Sequence, residues 1–250
     1  MTKVIRTIKE YKNVHRDLKN LSIGFVPTMG ALHQGHLTLM EQAKKENDIV
    51  VVSIFVNPTQ FNNPEDLRKY PRTLESDLES ISTVGVDYLF YPEINDMYPD
   101  DYRYKVTEST SSKILCGAHR PGHFDGVLSV VMKLFNIVKP TRAYLGEKDY
   151  QQLKLIEGMV ESFFMDVLVV PVATVRDEKG LALSSRNQRL SPDGIARAQE
   201  FAQTLKSGKD IESIKNSLKE KDIEVEYIEE HFNRRFAAVR IEGVRLIDNI

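Results

Sequence analysis

The sequence predicts an α/β protein built on a doubly wound parallel sheet, followed by a smaller α+β domain. In the first two-thirds of the chain, short apolar runs alternate with longer stretches whose apolar residues recur at helical spacing. After about Asp177 the pattern changes to two helices and then to short strands. Because strands separated by helical crossovers form parallel sheets, we expect a first domain at residues 1–177 and a second at 178–250.

Five strands and four helices are predicted in the first domain. The strands are expected at about 23–26, 49–56, 88–91, 143–145 and 167–172, and the helices at about 35–45, 74–84, 127–138 and 153–163. The run 49–56 is almost continuously apolar, as expected of a strand buried on both faces. Ligands of such sheets bind beyond the carboxyl ends of the strands, near the topological switch point. The residues that follow each strand are therefore the candidates for function.

The second domain is predicted to be small. Helices are expected at about 195–205 and 211–218, and strands at about 223–227, 236–241 and 244–247. In the first of these strands apolar residues alternate with Glu224 and Glu226, which predicts one face in contact with solvent. With roughly 70 residues, this part lies near the lower limit for independent folding.

Composition narrows the class of protein. The 250 residues are 41% hydrophobic and 28% charged, as in an ordered globular protein. A net charge of -2 gives no basic excess for nucleic acid. The chain begins without the apolar segment of a signal peptide, and no apolar run approaches the ~20 residues of a membrane helix. The single cysteine, Cys116, excludes an internal disulfide. We therefore expect a cytoplasmic protein without a nucleic-acid or membrane partner.

The segment with the most candidate functional residues is Pro27–His36, which joins the first predicted strand to a helix. A helix start offers free backbone N–H groups and a partial positive charge, both of which suit a phosphate. His33 and His36 can point the same way in a first turn and donate to phosphate oxygens, while Gly30 and Gly35 allow close approach to the backbone. The alternative is a polar loop with incidental histidines. Neither a dinucleotide-binding glycine motif nor a P-loop is present.

Three further segments follow strands or join the two domains. In Gly146–Gln152, Lys148 can reach a phosphate, although Asp149 and Gln152 also fit a helix capping box. Leu183–Arg186 has two serines and an arginine that suit a phosphate clamp, or an ordinary surface turn. In Asn57–Phe61, Gln60 can recognise a hydroxy acid or simply be a solvated loop residue. In the loop Arg120–Phe124, His123 is expected to be structural.

Together these segments resemble the pantothenate synthetase family, the ATP-dependent pantoate–β-alanine ligases. The matching stretches are Phe25–His36, Val52–Phe61, Tyr70–Thr73, Gly146–Gln152 and Gly180–Asn187, and Leu246–Asn249 resembles the family's C-terminal end. The family belongs to the His-x-Gly-His nucleotidylyltransferases. The resemblance implies a Rossmann-like first domain and a small, mobile second domain.

The same resemblance implies the site residues. ATP would be bound by Met29, Gly30, Ala31, Leu32, His33, Gln34, Gly35, His36, Gly146, Glu147, Lys148, Asp149, Val175, Leu183, Ser184, Ser185 and Arg186. The catalytic groups would be His36 as proton donor, with His33, Lys148 and Arg186. Gln60 and Gln152 would bind pantoate, with Gln60 also near β-alanine.

The implied reaction forms pantoyl adenylate and pyrophosphate from pantoate and ATP, and β-alanine then releases AMP and pantothenate. Mg²⁺ is expected with ATP, without a dedicated protein metal site. We also expect a homodimer whose second domain closes as a lid. That domain is shorter than expected for the family, and Cys116 stands where a glutamate is expected.

Two alternatives are another His-x-Gly-His nucleotidylyltransferase and a non-catalytic nucleotide-binding protein. The neutral amides of Gln60 and Gln152 favour a hydroxy acid over a phosphorylated substrate. The presence of both histidines and Lys148 favours an enzyme.

Overall fold

A computed structural model describes residues 2–250, which divide into two compact units. Unit 1 comprises the chain up to Leu32, His36–Gly146 and Gln151–Val172. Unit 2 comprises Ala173–Ile250 together with two short segments from earlier in the chain, His33–Gly35 and Glu147–Tyr150. The proposed division at residues 177 and 178 stays a prediction.

Unit 1 is built on a six-stranded parallel sheet. Its strands are β1 (Lys3–Ile5), β2 (Ile23–Thr28), β3 (Ile49–Ile54), β4 (Tyr88–Phe90), β5 (Arg142–Gly146) and β6 (Leu168–Val172). The helices along the same stretch are α1 (Ile8–Asp17), α2 (Gln34–Glu46), α3 (Pro64–Arg68), α4 (Leu74–Val84), α5 (Ile94–Met97), α6 (Cys116–His119), α7 (His123–Val138) and α8 (Tyr150–Ser162).

The strand order is β1-β4-β3-β2-β5-β6, with every neighbouring pair parallel. β2 therefore has β3 on one side and β5 on the other, which makes the boundary between β2 and β5 the topological switch point. The segments that follow these two strands are the ones that carry the histidine motif and Lys148. The predicted fold class, a doubly wound parallel sheet with a small C-terminal α+β part, is confirmed.

Both faces of the sheet are covered, which explains its apolar central strands. On one face, Val26 and Val52 pack with Met40 of α2 and Ile81 of α4 in one core. On the other, the ring of Phe25 lies 6.3 Å from that of Phe135 in α7. Because successive strand residues point to opposite faces, β2 and β3 are apolar at nearly every position.

Two elements at the start of the chain were not predicted, namely β1 and α1. The helix begins with a capping box in which the Thr7 hydroxyl accepts the Glu10 N–H and the Glu10 carboxylate accepts the Thr7 N–H, both at 3.1 Å. The helix predicted at about 153–163 extends one residue too far at its C-terminal end. α8 ends at Ser162, and Phe163 is 57% exposed.

Unit 2 has its own core between two helices and an antiparallel sheet. The helices are α9 (Pro192–Leu205) and α10 (Ile211–Lys219), and the strands are β7 (Glu224–His231), β8 (Arg234–Ile241) and β9 (Val244–Asn249), in the order β7-β8-β9. Phe201, Leu205 and Leu218 of the helices pack with Val239 and Leu246 of the sheet. Both connecting turns have two central residues with positive φ, as tight hairpins require.

Among residues 2–250, none of the helices combines the length and apolar character needed to cross a bilayer.

Candidate active site

In unit 1, the chain after β2 is held in a strained loop by a buried carboxylate. Gly30 and Ala31 have φ values of 80° and 51°, in the left-handed region that a non-glycine residue seldom adopts. The backbone N–H groups of Ala31 and Leu32 donate to the two oxygens of Asp77 at 3.0 and 2.8 Å. Asp77 is 2% exposed and also accepts the Thr73 hydroxyl at 3.2 Å. These bonds offset the strain and fix the path of residues 29–32.

His36 follows this loop in the first turn of α2, which begins at Gln34. Its side chain is partly buried. The first turn of α2 contains no acidic residue of its own, and the N-terminal end of a helix carries a partial positive charge. His36 thus lies where a helix start favours an anion.

Gln60 is oriented by a buried amide network in unit 1. Its Oε1 accepts from Asn57 Nδ2 at 3.0 Å, and its Nε2 donates to the Met29 sulfur at 3.2 Å. Asn57 is 1% exposed, and its Oδ1 accepts the hydroxyl of Tyr98 at 2.8 Å. The second Nε2 proton of Gln60 has no partner in the part of the chain that the structure describes. A substrate acceptor would satisfy it.

The main chain of Gln60 is held from the other side by the Arg120–His123 loop. The Gln60 carbonyl oxygen lies 2.8 Å from Nδ1 of His123 and accepts from Arg120 Nη2 at 3.1 Å. Since a carbonyl only accepts, Nδ1 carries the proton and Nε2 is left to accept from Arg120 Nη1, 3.1 Å away. His123 therefore holds the main chain of Gln60 in place, which is the structural role expected from the sequence.

Gln151 and Gln152 are neighbours with different surroundings. Gln151 is 4% exposed: its Oε1 accepts the Cys116 N–H at 3.1 Å, and its Nε2 donates to the carbonyls of Ser111 and Ile114. The partly buried Gln152 amide makes no hydrogen bond to any residue from 2 to 250. The capping box considered for Asp149 and Gln152 requires such a bond, so this interpretation loses its support.

In unit 2, His33 and Lys148 form the electrostatic part of the candidate site. Burial, helped by the positive charge of Lys148, lowers the pKa of His33 to about 4. The Lys148 ammonium lies 3.6 Å from a carboxylate oxygen of Asp149. A Cβ atom on Gly35 would lie 2.9 Å from the His33 ring, so only glycine allows the imidazole this position. A neutral histidine beside a lysine suits binding of an anion.

Two other expected ATP-binding residues of unit 2, Val175 and Leu183, lie on opposite sides of a short hairpin. The Leu183 N–H donates to the Val175 carbonyl at 3.0 Å, and Arg176 and Ala182 form the bridge between the two sides. A 3-10 helix, Ser185–Arg189, follows directly, and the Ser184 hydroxyl caps it by accepting the Arg186 N–H at 3.3 Å. The hairpin thus places the Ser-Ser-Arg segment at a helix start.

The expected site residues therefore fall into two groups. Unit 1 contains Met29, Gly30, Ala31, Leu32, His36, Gln60, Gly146 and Gln152, and unit 2 contains His33, Gln34, Gly35, Glu147, Lys148, Asp149, Val175, Leu183, Ser184, Ser185 and Arg186.

Sequence reasoning missed two buried polar residues, Asn57 and Asp77, which hold expected site residues of unit 1 in place. The burial of Asp77 could have been predicted from the sequence, because Asp77 lies three residues after Leu74 and four before Ile81, on the apolar face of α4. A carboxylate at such a position requires partners. Asn57 had no comparable signal, since asparagine before proline is common in loops.

Residues 3–250 match the family described as pantoate-beta-alanine ligase. The chain belongs to this family. Pantothenate synthetase of Bdellovibrio bacteriovorus is 56% identical over 250 residues, covering the whole chain and 99% of that protein. The enzyme of that name from Coxiella burnetii (strain Dugway 5J108-111) is 51% identical, covering 100% of the chain and 97% of the relative.

Solved structures of pantoate–β-alanine ligases agree with the fold. The ligase from Francisella tularensis, complexed with β-γ ATP and β-alanine, superimposes with a TM-score of 0.97 at 43% identity, covering 100% of the chain and 97% of that structure. A pantothenate synthetase from Thermus thermophilus gives 0.89 at 39% identity, with 100% and 99% covered. The expectation of a shortened second domain is wrong relative to these ligases, because the chain spans nearly their full length.

Proposed function

We propose that the protein is a pantoate–β-alanine ligase that uses ATP to make pantothenate and releases AMP and pyrophosphate. The observation that carries this proposal is family membership over residues 3–250, with full-length relatives at 56% and 51% identity. A carboxylate is a poor electrophile, so joining it to an amine requires activation, and adenylation by ATP supplies it.

In the first step, a carboxylate oxygen of pantoate attacks the α-phosphorus of ATP. The bond from that phosphorus to the bridging oxygen breaks, and pyrophosphate leaves with pantoyl adenylate remaining. In the second step, the amine of β-alanine attacks the acyl carbon, the acyl–oxygen bond breaks, and AMP leaves while the amine loses a proton. Charge accumulates on the phosphoryl oxygens in the first step, so fixed donors stabilise its transition state.

We assign the donors to His36 at the start of α2, to His33 and Lys148, and to Ser184, Ser185 and Arg186. Met29–Leu32, Gln34, Gly35, Gly146, Glu147, Asp149, Val175 and Leu183 complete the proposed ATP-binding set. Support comes from the helix start at His36, the neutral His33 beside Lys148, and the capped 3-10 helix at Arg186.

Gln60 and Gln152 are assigned to pantoate, with Gln60 also close to β-alanine. Both side chains offer neutral donors and acceptors, which recognise hydroxyls and a carboxylate together. The support is that Gln60 is oriented by Asn57 and that the partly buried side-chain amide of Gln152 makes no hydrogen bond to residues 2–250.

Mg²⁺ is proposed to arrive bound to the phosphates of ATP. The ion usually keeps several water ligands and takes few protein carboxylates when a nucleotide supplies oxygens. Within residues 2–250, no group of three or more His, Cys, Asp or Glu side chains is arranged to hold a metal ion.

The test is an assay with ATP, Mg²⁺, pantoate and β-alanine. AMP, pyrophosphate and pantothenate are expected in equal amounts. When β-alanine is left out, one equivalent of pyrophosphate per active site is expected, with pantoyl adenylate retained on the enzyme. Nucleotide binding without pantoate-dependent pyrophosphate release would overturn the proposal and favour a non-catalytic nucleotide-binding protein.

A homodimer is proposed through an apolar patch on unit 1. Phe163, Phe164 and Leu168 are 57%, 96% and 59% exposed, at the end of α8 and on the edge strand β6. Exposed aromatic and aliphatic groups beside a sheet edge are typical of an interface. Analytical ultracentrifugation should give a dimer for the native chain and a monomer for Phe164→Ser combined with Leu168→Ser. A monomeric native chain would overturn this proposal.

We further propose that residues 178–250 act as a lid that protects the adenylate from water. A cytoplasmic location is proposed because the reaction consumes ATP and the single cysteine, Cys116, cannot form an internal disulfide.

A further inference from the structure

The last strand of the chain contacts the Lys148 segment through a single amide. Asn249, at the end of β9, is 3% exposed. Its Nδ2 donates to the carbonyl oxygens of Glu147 and Lys148, each at 2.9 Å. Both carbonyls belong to the 3-10 helix Glu147–Asp149 that precedes α8, and all of these residues are in unit 2. One side chain thus satisfies two consecutive peptide groups.

Arg234 fixes the orientation of that amide. Its Nη1 donates to Asn249 Oδ1 at 2.9 Å, and its Nη2 donates to the Glu147 carboxylate at 3.1 Å. Its guanidinium carbon lies 4.0 Å from the centre of the Tyr150 ring. The amide of Asn249 therefore faces a donor on one side and two acceptors on the other. The flipped amide would oppose donor to donor and acceptor to acceptor, so only one orientation is stable.

The main chain at Asn249 is also fixed by hydrogen bonds, which come from Arg176. Its carbonyl accepts Arg176 Nη2 at 3.1 Å, and the neighbouring Asp248 receives both terminal nitrogens of Arg176 at 2.7 and 2.8 Å. In the β8–β9 pairing, Asn249 lies opposite Phe236. The amide that contacts the turn is consequently attached to a firmly held strand end.

This geometry determines where the peptide groups around Lys148 point. In a planar trans peptide the N–H points opposite to the C=O. With the carbonyls of Glu147 and Lys148 directed at Asn249, the N–H groups of Lys148 and Asp149 point away from it. The Lys148 side chain, 20% exposed, starts from this fixed turn and lies near enough to His33 to lower its pKa.

We propose that Asn249 is a positioning residue that holds Lys148 for the phosphates of ATP, with Arg234 fixing its amide. This inference rests on the proposed role of Lys148 in ATP binding. It assigns to the final strand of the chain a part in the adenylation step, although Asn249 lies about 100 residues from Lys148 in sequence and need not touch the substrate.

The principal test is a double-mutant cycle between Asn249→Asp and Lys148→Ala, read by pyrophosphate release. Aspartate keeps the acceptor for Arg234 but replaces the two N–H donors with an oxygen facing two carbonyls. Asn249→Asp alone should lower kcat about 10- to 100-fold, since small misplacements of a charged group are costly, and leave the KM for pantoate within about twofold. In the Lys148→Ala background it should have little further effect. Equal losses in both backgrounds would overturn the proposal.

The matched control is Glu226→Gln, which removes an ion pair with Arg245 at 2.6 Å in the same sheet. It should lower the melting temperature without changing kcat, which separates sheet stability from positioning. Should Asn249→Asp fail to fold, Asn249→Ala provides the same cycle, because Arg234 keeps its bond to Glu147.

A ligand-free measurement keeps the proposal testable if the proposed function fails. Hydrogen exchange at residues 147–150 should be faster in Asn249→Asp than in the native chain, and unchanged in Glu226→Gln. Unchanged exchange in Asn249→Asp would overturn the proposal even if the native protein makes pantothenate. If exchange is faster in Asn249→Asp but the native protein makes no pantothenate, the proposed function is rejected. The structural role of Asn249 in holding residues 147–150 is then retained.

Discussion

Nδ1 of His33 accepts the backbone N–H of Gly35 at 3.1 Å, which places the imidazole proton on Nε2. Because the pKa of His33 is lowered to about 4 by burial and by Lys148, this neutral tautomer persists throughout the physiological pH range. The ring can thus donate one hydrogen bond from Nε2 to a phosphate without needing to be charged.

The first prediction concerns pH and His33. The unfolded chain takes up a proton at this residue near pH 6.5, whereas the folded protein does so only near pH 4. The contribution of His33 to stability is therefore complete above pH 6.5 and is lost as the pH falls towards 4. We expect His33→Asn, whose Oδ1 can still accept the Gly35 N–H, to show a smaller decrease in melting temperature between pH 6.5 and 4. Parallel curves for the two proteins would contradict the assignment.

His36→Ala should fold normally and lose most adenylation activity. Removing one donor that stabilises developing charge typically costs about 100-fold or more in rate. Pyrophosphate release and the melting temperature should be measured on the same preparation, with His15→Ala in α1 as the control. Near-native pyrophosphate release by folded His36→Ala would exclude this residue from the mechanism.

Gln152→Ala should raise the KM for pantoate more than that for ATP and leave the melting temperature nearly unchanged. The neighbouring Gln151→Ala should do the reverse, because it leaves the Cys116 N–H and two carbonyls without their buried partner. Both variants should be compared by thermal denaturation and by initial rates. A stability loss in Gln152→Ala with native pantoate affinity would restore the capping interpretation.

Asp77→Asn should affect both stability and ATP use. The amide group would bring N–H donors against the N–H groups of Ala31 or Leu32, which costs about 1–3 kcal/mol for an unsatisfied buried group. We expect a melting temperature lower by about 5 °C and a higher KM for ATP. Glu75→Gln, an exposed charge change in the same helical turn, is the control and should change neither quantity. If Asp77→Asn keeps the native KM for ATP, the conformation of residues 29–32 is not important for nucleotide binding.

Arg186→Ala tests the proposed lid. ATP should protect residues 178–190 of the native protein from hydrogen exchange, and this protection should be lost in the variant together with activity. Equal protection in both proteins would show that Arg186 does not anchor the segment. Protection in neither would reject closure of the second domain.

The sequence was sufficient for the elements whose apolar pattern is long and regular. β3 and α7 were located from such patterns, and the motifs after β2 and β5 were placed correctly at strand ends. β1 was missed because three residues, Lys3–Ile5, give no periodic signal. Phe163 fitted the helical spacing of α8, but the helix had already ended, and spacing does not reveal where a helix stops.

The candidate site was predictable only where residue type itself implies chemistry. Histidine and lysine after strand ends, and arginine after two serines, are residue types that indicate an anion site, and they led to the proposed ATP-binding set. The contributions of Asn249 and Arg234 depend on contacts between residues far apart in sequence, which no local pattern encodes.

The unit that contains Lys148 is discontinuous along the chain, and this affects how the protein can be divided. The backbone passes between the two units five times, at residues 32/33, 35/36, 146/147, 150/151 and 172/173. A fragment that ends at residue 172 would retain His33 and Lys148 but lack the strand that supports the lysine. A fragment that starts at residue 173 would retain that strand and lack both side chains. The chemistry therefore cannot be transferred to another scaffold by exchanging one contiguous piece of sequence.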